Sequence, residues 1–285
     1  QPIPAARIFP GCVRSTAISG RALADGSIKV PAGGKRAQGH QAEEGNLVGT
    51  LLDLGLFGFN SGLMGLAMGN FYEPDTALWV WVLVLAAVVA LIAVAMGKWL
   101  PIPFLAAPFI VTFWIMWFIA DARPELIKLD LGPWPVENVR WGIALINALG
   151  AALFAPAVIT GLLFLLGLLV SNWRHAVIAI VAAGIAVAIA EHVGIVGGAI
   201  NTGFIGFNAV LAALGTAAVL EGDLRMAVLA ALLATWFFSY INRTAPVPAL
   251  ASGFVVAVWV VMLLDWLHRR FGPGVHKQPA AVPAA

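Results

Sequence analysis

The chain has 285 residues, of which 61% are hydrophobic and 11% charged, and its mean hydropathy is +0.94. An ordinary soluble domain carries about 25% charged residues, and a soluble fold of this length has too little interior to hide so much apolar surface. Disorder and coiled coil are excluded by the same figures, and the formal net charge of +2 is too small to attract nucleic acid. What remains is an all-α, polytopic membrane protein with the lipid bilayer as its surroundings.

Residues 1–46 stand apart as a polar arm with six basic and three acidic residues. The chain starts at Gln1, and Arg7, Arg14 and Arg21 precede any acid, which superficially suits a transit peptide. A disordered arm, a truncation or an altered gene start is the plainer reading. Cys12 is the one cysteine, so no intramolecular disulfide and no thiolate metal cluster can form. The five histidines show no ligand spacing, and no phosphate-loop, zinc-protease or nucleophile-elbow pattern occurs. No metal or cofactor is implied, and no set of acid, base and nucleophile that would make an enzyme.

Apolar segments then run over about 51–72, 77–97 and 100–120, and a polar stretch follows at 121–140. Further segments cover about 141–155, 156–171, 176–190, 199–221, 225–241 and 246–267. A crossing helix needs about 20 residues, so 141–155 reads as re-entrant or interfacial. The domains are therefore a first, shortened membrane repeat at 47–122, an extramembrane linker at 123–140, a second repeat at 141–268 and a tail at 269–285.

Arg269, Arg270 and Lys277 place the C-terminus in the cytoplasm. Counting back with 141–155 re-entrant, Arg225, Arg174, Lys98 and the arm fall inside. The acidic loop Glu73–Asp75 and the loop 191–198, which has no Lys or Arg, fall outside. Arg243 alone falls on the wrong side. Asp53, Glu191 and Asp265 sit near segment ends, and no acid occupies the middle of a span, where it would mark a proton or ion pathway. Glu191-His192 reads as an interfacial solvated pair. Trp79, Trp99, Trp173 and Trp266 near segment ends read as an aromatic belt.

The strongest signal is self-similarity. Gly55-Leu56-Phe57-Gly58-Phe59-Asn60-Ser61-Gly62-Leu63 recurs as Gly203-Phe204-Ile205-Gly206-Phe207-Asn208-Ala209-Val210-Leu211, offset by 148. Ile102-Pro103-Phe104-Leu105-Ala106-Ala107-Pro108-Phe109 recurs as Val247-Pro248-Ala249-Leu250-Ala251-Ser252-Gly253-Phe254, offset by 145, and Trp114 meets Trp259 at that offset. The charge-based topology runs the two copies in opposite directions, an inverted repeat of the kind used by many transporters. The first half has three spans where the second has a short helix and five. Either two native spans are lacking or the repeat is naturally reduced.

Phe59 and Leu63 are four apart and share a helix face, as do Phe207 and Leu211. Two such pairs about one axis would form a narrow apolar slot for a small planar solute. Core packing explains the same spacing. Asn60 and Asn208 are intramembrane amides that brace broken backbone, touch solute or glue helices together. Pro103, Pro108 and Pro248 suggest a short helix, a break and then a span, with carbonyls freed at the break. An ordinary helix start after a loop fits them equally.

The two blocks resemble those of the urea transporter family, the urea channels of bacteria and animals. That family carries a Gly-[Leu/Tyr/Phe]-x-Gly-[Phe/Tyr]-Asn block and a Leu-Pro-x-x-Thr-x-Pro-Phe signature in each inverted half. The match covers about 51–122 and 141–268. It implies five spans plus a short re-entrant pore helix per half, a homotrimer in the cell membrane (the bacterial inner membrane), and passive passage of urea or a similar small neutral amide through each protomer. It also implies that Phe59, Leu63, Phe207 and Leu211 line the slot. Asn60 and Asn208 stand beside them, and Phe109 and Phe254 close the signatures. The signature threonine is replaced by Ala106 and Ala251, and Ala151 stands where the pore helix often has Gln or Glu. Pro156-Ala157 lies where an Asn-Pro element is expected. Another small neutral solute, such as water or ammonia, and a non-conducting homologue are the alternative readings.

Overall fold

The computed structural model describes residues 56–100, 102–129, 133–220 and 223–271. The arm 1–46, the start of the first segment with Asp53 and Gly55, and the end of the tail lie outside them. The described residues form helices α1 (Leu56–Phe71), α2 (Thr76–Trp99), α3 (Ala107–Ala120), α4 (Trp141–Ala151), α5 (Val158–His192), α6 (Gly197–Asn201), α7 (Phe207–Val219), α8 (Leu224–Thr244) and α9 (Ser252–Phe271). The pairing of Tyr72 with Lys128 is an isolated bridge. The expectation of a polytopic, all-α membrane protein holds.

Four of these helices, α2, α5, α8 and α9, are long and apolar enough to cross a bilayer. At 24 residues, α2 extends about 36 Å, more than the roughly 30 Å of hydrocarbon. Its outer face carries Leu83 and Leu91, 73% and 70% exposed, as expected of a surface against lipid rather than water. Its start is fixed by Asp75, whose carboxylate accepts from Leu78 N at 2.6 Å. Asp223 caps α8 in the same way. Basic residues close α2, α8 and α9, namely Lys98, Arg243 and the pair Arg269 and Arg270, where the helix dipole favours positive charge.

The sequence divides 156–190 into two segments, and the structure joins them into α5 with a break at Asn172, whose backbone is extended (φ −163°, ψ 106°). The Asn172 side chain then accepts from Arg174 N at 3.0 Å, capping the second stretch. Segment 199–221 also differs from a single span. It is the short helix α6, a turn through Gly203, and α7.

Helices α1, α2 and α3 pack on one another as α7, α8 and α9 do, and α3 meets α9 between the halves. Helices α4 and α5 have no counterpart among the described residues of the first half. The second half packs on small residues. Ala182 and Ala186 of α5 meet Ala209, Ala213 and Ala217 of α7 and Ala227 and Ala231 of α8. In lipid, where water does not drive helices together, such residues let backbones approach.

Candidate functional site

Helices α3, α7 and α1 have 14, 13 and 16 described residues, each short of the about 20 needed to cross. Irregular backbone precedes α3, α7 and α9. Irregular backbone at membrane depth leaves N–H and C=O groups without helical partners, and each must find one. Two side chains meet much of that need. Asn60 on α1 donates through Nδ2 to Leu105 O at 2.9 Å and accepts at Oδ1 from Phe109 N at 3.2 Å. Asn208 on α7 donates to Leu250 O at 2.9 Å and accepts from Phe254 N at 2.8 Å. Both asparagines are fully buried.

The backbone of the two joints matches bond for bond. Ala107 N donates to Phe104 O and Ile110 N to Ala106 O, as Ser252 N donates to Ala249 O and Val255 N to Ala251 O. Leu105 and Leu250 both adopt the left-handed region (φ 51° and 49°), which costs a branched side chain about 1 kcal/mol or more. Their carbonyls accept from the asparagine amides. A left-handed residue there lets the chain turn from the loop into the helix while its oxygen meets Nδ2. Ala106, the N-cap of α3, has no side chain able to cap. Asn60 supplies that function from another helix, and Asn208 does the same for α9.

Between the joints lies a run of aromatic rings. Phe109 meets Phe154 at 5.9 Å between centroids, and Phe154 meets Phe207 at 6.1 Å. Phe207 also meets Phe204 and Phe238, at 6.3 and 6.1 Å. Phe154 follows α4 with φ 53° and stands between the signature of one half and the Gly-Phe-Asn block of the other. Nothing in the sequence around it marks a left-handed residue, so it is absent from the sequence-based candidates.

Of those candidates, Asn60, Leu63, Ala106, Phe109, Ala151, Phe207, Asn208, Ala251 and Phe254 are all buried, and Leu211 is half-buried. Phe59 differs, being 40% exposed while its counterpart Phe207 is 2% exposed. The neighbouring glycines explain the contrast. Gly203, with φ 81°, lies against the Asn147 backbone, and a Cβ on Gly206 would stand 2.7 Å from Ala148 Cβ. Helix α4 is thus seated directly on the second Gly-Phe-Asn block. A Cβ on Gly58, the counterpart of Gly206, would meet nothing within 4 Å. The first block carries the same small residue, but no described atom packs at the position its Cβ would take.

Helix α4 has 11 residues, about 16 Å, too short to cross. Its start is held by Asn201 of α6, which accepts from Arg140 N at 2.8 Å and donates to Glu137 Oε1 and Asn138 O at 2.9 and 3.0 Å. Asn147 Nδ2 donates to Asn201 O at 2.8 Å. No sequence motif announces this hub.

Among the described residues the buried polar side chains are Asn, Thr and Ser together with the phenol of Tyr72, and no Asp, Glu, Lys, Arg or His is among them. None of the described His, Cys, Asp and Glu residues form a group able to hold a metal. Glu191 accepts from Trp141 Nε1 at 3.1 Å, and both Glu191 and His192 are exposed. The joints thus lie among aromatic rings and backbone carbonyls, with no charged side chain buried among the described residues.

Comparison with curated proteins gives no match. A family model described as urea transporter matches residues 46–266, a stretch that takes in both joints, the aromatic run and α4. The chain therefore belongs to the urea transporter family.

Proposed function

We propose that the protein passes urea, or a similar small neutral amide, down its gradient through a path between the two repeats of each protomer. The duplicated joint carries this reading. Two broken-backbone turns with the same hydrogen bonds, each braced by a buried asparagine, put unusual backbone where only a cavity or close protein packing tolerates it. In this reading Phe59, Leu63, Phe207 and Leu211 form the walls and the carbonyls near Ala106 and Ala251 supply acceptors. The threonine hydroxyls of the family signature are replaced by methyl groups, so discrimination falls to shape and backbone. A site without a dedicated hydrogen bond to its substrate separates analogues weakly.

The membrane arrangement belongs to the same proposal. The halves run in opposite directions, the C-terminus is cytoplasmic, α4 is re-entrant from the outer side, and three copies assemble in the bacterial inner membrane. Support comes from the family, the charge pattern and the length of α4. Stopped-flow uptake into proteoliposomes, comparing urea, acetamide and water, tests the function. Urea uptake should exceed that of protein-free vesicles and should not require a proton or sodium gradient. Equal rates with and without protein for every solute would remove the channel reading.

A second reading rests on the open ground at Gly58 and the 40% exposure of Phe59. With no described residue packed at Gly58 on that face of α1, a homologue that does not conduct is the outcome to set against the first. The same uptake experiment separates the two.

A further inference from the structure

The Trp114 and Trp259 side chains make a matched pair of bonds across the halves. Trp114 Nε1 on α3 donates to Pro248 O at 2.9 Å, and Trp259 Nε1 on α9 donates to Pro103 O at 2.8 Å. The residues are related by the 145-residue offset, donor to donor and acceptor to acceptor. Each acceptor lies two residues before the left-handed leucine of a joint, Leu250 or Leu105.

A joint is therefore tied at two carbonyls by two different bodies. Its own repeat holds the leucine carbonyl through asparagine, and the opposite repeat holds the proline carbonyl through tryptophan. An indole N–H donates and cannot accept, and within a helix the nearby carbonyls are already engaged. Its bond must reach outward, and here it reaches a loop where a proline leaves the backbone one donor short. Freed in a low-dielectric interior, that carbonyl would turn to find another partner, and the leucine carbonyl two residues on would turn with it.

We propose that Trp114 and Trp259 are positioning residues of the conduction path. Each sets the backbone geometry of the joint in the opposite half, and so the spacing and carbonyl direction that a passing solute meets. This rests on the conduction reading for its consequence in transport, whereas the crossed tie itself can be tested without any solute.

The experiment uses the full chain in proteoliposomes with Trp114→Phe and Trp259→Phe. Amide hydrogen exchange is followed at 102–106 and 247–251, and permeability is measured to urea and N-methylurea. Trp114→Phe should raise exchange at 247–251 and leave 102–106 unchanged, and Trp259→Phe should do the reverse. Each should change the urea to N-methylurea ratio about threefold, the size expected for one neutral hydrogen bond. If Phe variants fail to fold, β-(3-benzothienyl)alanine at the same positions keeps the ring shape and removes only the N–H. Exchange rising in the mutated half, or equally in both, would overturn the crossed tie. A crossed exchange pattern with an unchanged permeability ratio would overturn the positioning role. A wild-type protein that passes no urea would instead remove the conduction reading, and the exchange pattern would still decide the tie.

Discussion

An asparagine side chain has one face that donates and one that accepts, and at position 208 both are spent on the backbone of α9 and its joint. Replacing it with leucine keeps the branching and removes both bonds while adding some bulk at a fully buried site, so Asn208→Leu should cost about 2–3 kcal/mol or more. Asn208→Asp removes only the donor and buries a carboxylate beside Leu250 O, which should be worse than leucine at neutral pH. Denaturant unfolding in detergent orders the three proteins, and an aspartate variant as stable as wild type would contradict the brace. The repetition of Asn60 and Asn208 was legible in the sequence, but the choice between bracing and touching solute was not. An amide has the same letters in either role, and only the distances to Leu105, Phe109, Leu250 and Phe254 separate them. Phe154 was illegible for a different reason. Its left-handed backbone is imposed by the packing around it and not by any preference of phenylalanine.

At the scale of the element, the short helix α4 and the glycines beneath it decide how the Gly-Phe-Asn block is used. Gly206→Ala would drive a methyl group to 2.7 Å from Ala148 Cβ and should cost about 1–3 kcal/mol. Gly58→Ala meets no described atom, and should be neutral or favourable by up to about 1 kcal/mol, since alanine orders a helix better than glycine. Paired unfolding curves check this contrast. Equal losses at both sites would mean that α1 is covered as tightly as α7. Asn201→Ala should release the start of α4 at Arg140 and Glu137 and cost about 2 kcal/mol, read by increased amide exchange over 140–147. Segment lengths alone identified α4 as too short to cross. They placed the division of α5 at 172–175, where the break at Asn172 is found. What they could not give was the turn between α6 and α7, because 199–221 is apolar on average and mean hydropathy does not register a break whose residues stay largely buried.

For the whole molecule, the proposed orientation in the membrane rests on the distribution of basic residues and has a direct test. In a Cys12→Ser background, Arg174→Cys and Arg243→Cys should react with a membrane-impermeant thiol reagent from opposite sides. Labelling from the same side would break the proposed topology at the stretch between them. The class of fold was open to sequence reasoning because membrane burial leaves its mark on composition, and the family because two separated blocks repeat in order. The asymmetry at the centre, with Phe207 enclosed and Phe59 open, was hidden, since identical letters were surrounded by different neighbours.

The reciprocal indole bonds have a mechanical meaning. A carrier of the rocking kind moves one repeat against the other to expose its site alternately to each side. Here such a swing would have to part Trp114 from Pro248 and Trp259 from Pro103 in the same stroke, and hand both carbonyls to lipid or to nothing. Two neutral bonds of about 1 kcal/mol each do not forbid the motion, but they load every cycle against it. A conduit that stays open carries no such load. Its flux should rise in proportion to the urea gradient without levelling off, and a turnover ceiling at modest gradients would reveal a rocker instead.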